Sequence, residues 1–244
     1  MTSVRTAFTE ELGDLKKTAL RMGEFVAGML RDALEALYTQ DVALARDVKA
    51  RDDTADGLDE AIENQATRLL ALQQPMARDL RAITASLKIV TDLERIGDYA
   101  VAIARTAITL ADEPFFKPLE DTRRIGDMGQ RIVSDAMAAF EAESVDLARA
   151  TRTADKAIDD LWHHLETELI DWMKREPRTV DQAARLILVA RYVERIGDHA
   201  KNICERVAYM QTGFRKPWRQ AAYRAQPQAP EGGAGGEPQG SEGA

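Results

Sequence analysis

The sequence predicts an all-α protein: two tandem antiparallel three-helix bundles related by a pseudo-twofold, followed by a low-complexity tail. Three observations predict it. Apolar residues recur at steps of three and four along most of the chain, strand-like alternation is absent, and the pentapeptide Glu-Arg-Ile-Gly-Asp occurs at 94–98 and again at 194–198. Steps of three and four keep side chains on one face of a helix. A chain rich in Ala, Leu, Arg, Glu and Asp suits long helices.

The first helix is expected over 5–38, where Leu12, Leu15, Ala19, Met22, Val26, Met29, Leu30, Ala33 and Leu37 form one stripe. Thr39-Gln40-Asp41 breaks it. The second helix, 42–73, runs into Gln73-Gln74-Pro75, and proline is a strong helix stop. The third, 77–111, ends at Asp112-Glu113-Pro114, with Pro118 close behind. The fourth, 118–142, stops at Glu143-Ser144, and the fifth, 145–174, at Glu176-Pro177. The sixth, 180–211, meets Gly213, where glycine commonly caps a helix C-terminus. Next come Phe214-Arg-Lys-Pro-Trp-Arg219 and Tyr223-Arg224, a basic and aromatic stretch expected to pack back on the bundle. The Gly/Pro/Gln/Glu-rich segment from Gln226 to Ala244 has too little apolar surface to order itself and is expected to be disordered.

The pentapeptides belong to a longer repeat. With an offset of 103, Gly23 meets Gly126, Asp32 meets Asp135, Asp52 meets Asp155, Asp56 meets Asp159 and Leu58 meets Leu161. After Pro75 and Pro177 the offset falls to 100, so Glu94 to Asp98 meets Glu194 to Asp198, and Ile103 meets Ile203. Short connections imply antiparallel neighbours. The expected units are 1–112, 113–213 and a terminal segment 214–244.

Of the 244 residues 45% are hydrophobic, enough for a sizeable core, and the formal net charge is −8. That charge argues against direct nucleic-acid binding, which wants a basic face. The lone cysteine, Cys204, excludes an intrachain disulfide and suits a reducing compartment. The N-terminus has no apolar signal-peptide core, and no apolar run approaches the ~18 residues of a bilayer span. The expected location is cytoplasmic.

Four segments share the pattern acid, three residues, acid: Asp52/Asp56, Glu94/Asp98, Asp155/Asp159 and Glu194/Asp198. Residues four apart on a helix share a face, with Cβ atoms ~5–6 Å apart, and like charges there repel. A cation between the second and third helices of each unit would offset the repulsion. An all-oxygen ligand set favours magnesium, manganese or an oxo-bridged iron cluster; zinc more usually recruits Cys or His. Among 41 acidic residues a single such pair is usually a solvated face, but four pairs related by the repeat favour ligation. His163 follows Asp159 by four and is a possible extra ligand, while His164 and His199 read as surface or interface residues. Gly97 and Gly197, costly inside helices, imply a close approach by a helix or a bound cluster. Arg95 and Arg195 can neutralise the acids or reach a phosphate.

Two copies of Glu-Arg-Ile-Gly-Asp, each on the third helix of a three-helix unit, resemble the PhoU family. The resemblance extends to Glu194-Arg-Ile-Gly-Asp-His-Ala-Lys-Asn-Ile-Cys-Glu205, to Asp52-Asp-Thr-Ala-Asp-Gly-Leu58, to Asp155-Lys-Ala-Ile-Asp-Asp-Leu161 and to Pro75-Met-Ala-Arg-Asp-Leu-Arg81. It implies multinuclear metal sites at the eight carboxylates named above; which metal they take, iron, manganese, magnesium or zinc, the sequence leaves open. It implies no catalysis. It implies negative regulation of the phosphate-starvation response and modulation of phosphate uptake, with the protein linking the ATPase subunit of a phosphate ABC transporter to a sensor histidine kinase. A homodimer is implied, and membrane association only through those partners. Asp56 is followed by Gly57, which weakens the helix where the first cluster would form. The alternatives are a metal-free helical interaction module and a carboxylate-bridged di-metal oxidase.

Overall fold

The computed structural model describes residues 2–219, and the tail expected to be disordered lies outside them. Among the described residues there are helices and no strand. The first bundle holds α1 (Thr2–Thr39), α2 (Val42–Ala50), α3 (Asp52–Gln73) and α4 (Ala77–Leu110). The second holds α5 (Glu120–Glu141), α6 (Val145–Arg175) and α7 (Val180–Thr212), with a 3-10 turn at Pro177–Thr179 before α7. Helices α4 and α7 pack against each other, and α1 touches α5, so the two bundles share one hydrophobic core.

The predicted stripe on α1 is the buried face: Leu15, Ala19, Met22, Val26, Met29, Leu30, Ala33 and Leu37 have no exposed surface. The first turns of the two repeats are built alike. Gln40 and Glu143 take left-handed backbone conformations (φ 54° and 50°), ending α1 and α5. Asp41 and Ser144 follow as N-caps, accepting from the Leu44 and Leu147 amides at 2.9 and 3.2 Å. Each cap satisfies a backbone donor that the helix leaves free.

The expected single helix over 42–73 is instead divided at Arg51 into α2 and α3. The cause is tertiary. Arg51 donates to Asp32 on α1 at 2.7 Å and also pairs with Asp47. Asp52 and Asp53 then begin a new first turn, where acidic side chains suit the helix dipole. In the second repeat Ala154 stands in the place of Arg51, and α6 is continuous.

The pseudo-twofold is visible in individual contacts. A Cβ added to Gly23 would meet Met137 Cε at 2.4 Å, and one added to Gly126 would meet Leu34 at 3.1 Å and Tyr38 Oη at 2.1 Å. Residues 23 and 126 correspond under the offset of 103, and so do 34 and 137. Each glycine therefore receives the other repeat's side chain where α1 and α5 cross. Between α4 and α7, Tyr99 stacks near Tyr192 (centroids 5.7 Å apart), and Asp92 meets His199 at 2.8 Å. These two pairs exchange under the offset of 100. His199 is thus an interface residue, as expected.

Candidate metal centres

In the first repeat, Asp52 and Asp56 lie on the first two turns of α3, and Glu94 and Asp98 on the middle of α4, which packs against α3. Burial raises the Asp52 carboxyl above its ordinary range, and Asp56 and Asp98 add to the rise while Arg105 opposes it. Burial raises Glu94 likewise, with Asp98, Asp59 and Asp56 adding to it. These mutual effects place the four predicted carboxylates in one field. Arg95 on the rim contacts Asp98 at 3.0 Å and Glu94 at 3.3 Å, so it neutralises acids rather than facing away from them.

Asp59 joins this cluster and was not foreseen. Burial, Glu63 and Asp56 raise its pKa. Its repeat counterpart is Trp162, so the symmetry that revealed the other acids hid it. Its position three residues after Asp56 was the available signal.

In the second repeat Asp155 and Asp159 on α6 face Glu194 and Asp198 on α7. Burial raises Asp159, with Asp155 adding and Lys201 opposing. Burial raises Glu194, with Arg191 opposing and Asp198 adding. Asp155 is 3% exposed and lies against Gly197: a Cβ there would sit 2.6 Å from Asp155 Oδ1. Gly197 thus makes room for a carboxylate. Gly97 does not, since its nearest neighbour would be Val26 at 3.8 Å. The two recurring glycines have different reasons.

Cations are unequally shared. Arg195 contacts Asp198 at 2.8 Å, as Arg95 contacts Asp98. The second cluster adds Arg191, 3.0 Å from Glu194, and Lys201, whose Nζ lies 2.5 Å from Asp155 Oδ2 and 2.8 Å from Asp198 Oδ1. Burial pulls the Lys201 ammonium toward neutrality, but its hydrogen bonds to Asp155 and Asp198 outweigh this and raise its pKa. The counterparts of Arg191 and Lys201 in the first repeat are Thr91 and Val101.

Among the described residues no group of three or more Asp, Glu, His or Cys side chains is placed to hold a metal ion. Two features nonetheless fit a hard cation. The donors are all carboxylate oxygens, and Asp155 Oδ1 and Glu194 Oε2 are buried without a hydrogen-bond partner. Buried acceptors of that kind are rare. His163 is 68% exposed on its side chain, 3.9 Å from Glu166, so the structure does not bring it into the cluster. His164 is also exposed, 3.9 Å from Asp121.

The family model for the PhoU domain matches residues 19–107 and again 122–207. The chain belongs to the PhoU domain family. Relatives named as phosphate-specific transport system accessory protein PhoU homologs match most of its length. One from Clostridium acetobutylicum is 35% identical over 210 residues, covering 86% of this chain and 96% of the relative. One from Aquifex aeolicus is 40% identical over 186 residues, covering 76% and 84%. The crystal structure of PhoU from Pseudomonas aeruginosa superposes with a TM-score of 0.82 at 38% identity, covering 84% of this chain and 99% of that one. The phosphate transport system regulatory protein PhoU from Streptococcus pneumoniae gives 0.80 at 29% identity, covering 84% and 97%.

Proposed function

We propose that this protein is a non-enzymatic regulator of phosphate homeostasis that serves a phosphate-specific transport system. The observation that carries this is the doubled PhoU domain, matched along most of its length by relatives named as accessory or regulatory proteins of phosphate transport. The protein restrains uptake through the transporter's ATPase subunit and represses the phosphate-starvation response through a sensor histidine kinase. It works in the cytoplasm, dimerises, and meets the membrane through those partners. No described helix is long and apolar enough to cross a membrane.

Metal ions, among them iron, manganese, magnesium or zinc, are held at Asp52, Asp56, Glu94 and Asp98 in the first repeat. The corresponding set in the second is Asp155, Asp159, Glu194 and Asp198. A bound cation supplies positive charge between the second and third helices of each unit and fixes their spacing. The chain's own part is to present oxygen donors from two adjacent helices, with Arg95 and Arg195 trimming the excess negative charge at the rim. A di-metal oxidase would need histidine beside the acids, and His163 turns to solvent instead.

Alkaline phosphatase activity in phosphate-rich cells, with the gene present and deleted, tests the regulatory reading. High activity confined to the deletion supports it. Equal, low activity in both strains refutes repression of the starvation response.

A further inference from the structure

Eight large apolar side chains are exposed among the described residues, and five of them, Leu72, Met76, Leu80, Leu147 and Phe214, belong to segments that meet at one end of the molecule. Glu143 gathers that end. Its carboxylate contacts Lys16 of α1 at 2.8 Å, Arg78 of α4 at 3.0 Å and Gln211 of α7 at 2.7 Å. Arg78 also meets Gln211 at 3.2 Å, and Arg81 donates to the Met210 carbonyl at 3.4 Å. The start of α4 therefore lies against the end of α7, which brings Met76 and Leu80 near Phe214, while Leu147 follows Glu143 by one helical turn. Gln74 and Ala77 take left-handed backbone conformations (φ 45° and 46°) on either side of Pro75 and Met76, and Met76 is 78% exposed. The segment after α7 is a second copy of the one after α4: Phe115-Phe-Lys-Pro118 recurs as Phe214-Arg-Lys-Pro217. In the first copy both rings pack on the core, with Phe116 5.4 Å from Trp172. In the second, Phe214 is 49% exposed and Arg215 replaces the other ring.

The charge of this end is opposite to that of the chain, which carries −8. Met76 to Arg81 and Gly213 to Arg219 hold Arg78, Arg81, Arg215, Lys216 and Arg219 against one acid, Asp79. The carboxylates they reach, Glu143 and Glu205, are shared with Lys16 and Arg152, so positive charge stays in excess even with Asp146 beside Leu147 counted. The pseudo-twofold does not repeat this, since Asp181 stands in the place of Arg81. We propose that this end is a docking surface for an anionic lipid bilayer, with Met76, Leu80 and Phe214 entering the interface and the surrounding arginines and Lys216 meeting lipid phosphates. Apolar side chains ringed by Lys and Arg bind at that depth, and each basic residue near an anionic leaflet strengthens binding about fivefold. A rigid protein partner would need a hollow shaped for each exposed side chain, whereas a fluid interface closes round a side chain as exposed as Met76. The sequence continues with Tyr223 and Arg224, of the same character. Such a surface adds a direct lipid contact to the contact through partners proposed above, and it involves neither the carboxylate clusters nor a metal.

The test is co-sedimentation of the full chain with large vesicles, of phosphatidylcholine alone and of phosphatidylcholine mixed with phosphatidylglycerol, at low and at high salt. The parent should bind the mixed vesicles at low salt and lose that binding on phosphatidylcholine alone and at high salt, which screens the charges. M76S combined with F214S should weaken binding about tenfold or more by removing the side chains that enter the interface. V180S combined with L188S, which changes exposed apolar residues near the opposite end of α7, should bind as the parent does. Thermal melting of each variant checks that it is folded. Equal binding of the parent to both kinds of vesicle, or binding to neither, overturns the proposal. So does M76S/F214S binding like the parent, or V180S/L188S weakened as much. If soluble polyglutamate binds the parent and the mixed vesicles do not, this end takes an acidic protein segment and the lipid assignment falls. Should M76S/F214S not fold, M76S alone decides: weakened vesicle binding supports the proposal and unchanged binding overturns it. The regulatory reading stands or falls separately, on the alkaline phosphatase assay.

Discussion

Replacing Gly126 by alanine should destabilise the protein, although the same change at Gly57 should stabilise it. Both glycines lie inside helices, where alanine is favoured by about 1 kcal/mol. At Gly57 a Cβ would meet nothing within 4 Å, so G57A should gain about 0.5–1 kcal/mol. At Gly126 the Cβ would lie 2.1 Å from Tyr38 Oη and 3.1 and 3.2 Å from the Leu34 methyls. Tyr38 cannot simply swing away. Its hydroxyl donates to the Thr122 carbonyl at 3.2 Å, and Arg123 covers its ring at 4.2 Å from the centroid. Overpacking of this kind costs about 1–3 kcal/mol, and losing the hydroxyl's bond adds about 1 kcal/mol. After the helix-propensity gain, G126A should lose about 1–3 kcal/mol, and the two variants should separate by about 2–4 kcal/mol. Urea denaturation of the metal-free protein with matched slopes gives both values. If G126A is as stable as the parent, the crossing of α1 and α5 is looser than the contacts at Gly126 require, and the packing argument is wrong.

Asp92 accepts from His199 at 2.8 Å and Asn202 at 3.2 Å between the repeats, so D92A should cost about 1–3 kcal/mol by leaving those groups unpaired; a denaturant midpoint unchanged from the parent would contradict this. Glu143 ties three helices, meeting Lys16 at 2.8 Å, Gln211 at 2.7 Å and Arg78 at 3.0 Å, and the Lys16 hydrogen bond above all holds its pKa below the ordinary value. A depressed carboxyl adds stability above its unfolded pKa, about 4.3, and loses it as pH falls through the folded pKa. The gap between the parent and E143Q should therefore be full at neutral pH and close in acid below about pH 4; a gap independent of pH would exclude the ion pairs as its source. Glu205, 3% exposed, anchors the segment after α7 through Arg215 and Lys216, both at 3.0 Å, while Arg152 lies over Trp218. E205A should speed tryptic cleavage at Arg215 about tenfold by raising the open fraction, and an unchanged rate would show that the anchor holds nothing.

The number of bundles and the helix faces were legible because each is a periodic or repeated signal, and the same repeat drew attention to the eight carboxylates. Helix stripes such as Leu15 to Leu37 need only spacing. What was not legible depended on contacts between distant residues. Arg51 sits among good helix formers, and the division of the helix comes from Asp32, nineteen residues earlier. Gly23 and Gly126 aligned in the repeat, but their partners Met137 and Leu34 lie on the other bundle. The repeat also misled where the copies differ. It hid Asp59 behind Trp162 and Lys201 behind Val101, and it suggested one reason for two glycines that have two. The weak helix propensity at Gly57 marked the first cluster as the doubtful one, whereas the second is the more fully neutralised. The expected packing of the basic aromatic stretch against the bundle holds through Trp218.

The reciprocal contacts of Gly23 with Met137 and Gly126 with Leu34 have the pattern of an isologous dimer interface, enclosed in a single polypeptide. In a true homodimer a substitution appears on both sides of the axis at once, and a lysine gained at one site is gained at its mate. Joining the two units in one chain removes that constraint. It also makes their association independent of protein concentration. Asp92 with His199 on one side of the axis, and Tyr192 with Tyr99 on the other, is a pairing that no symmetric dimer could hold. Because the twofold face is already spent on the chain's own other half, any meeting of whole molecules must use surfaces away from it.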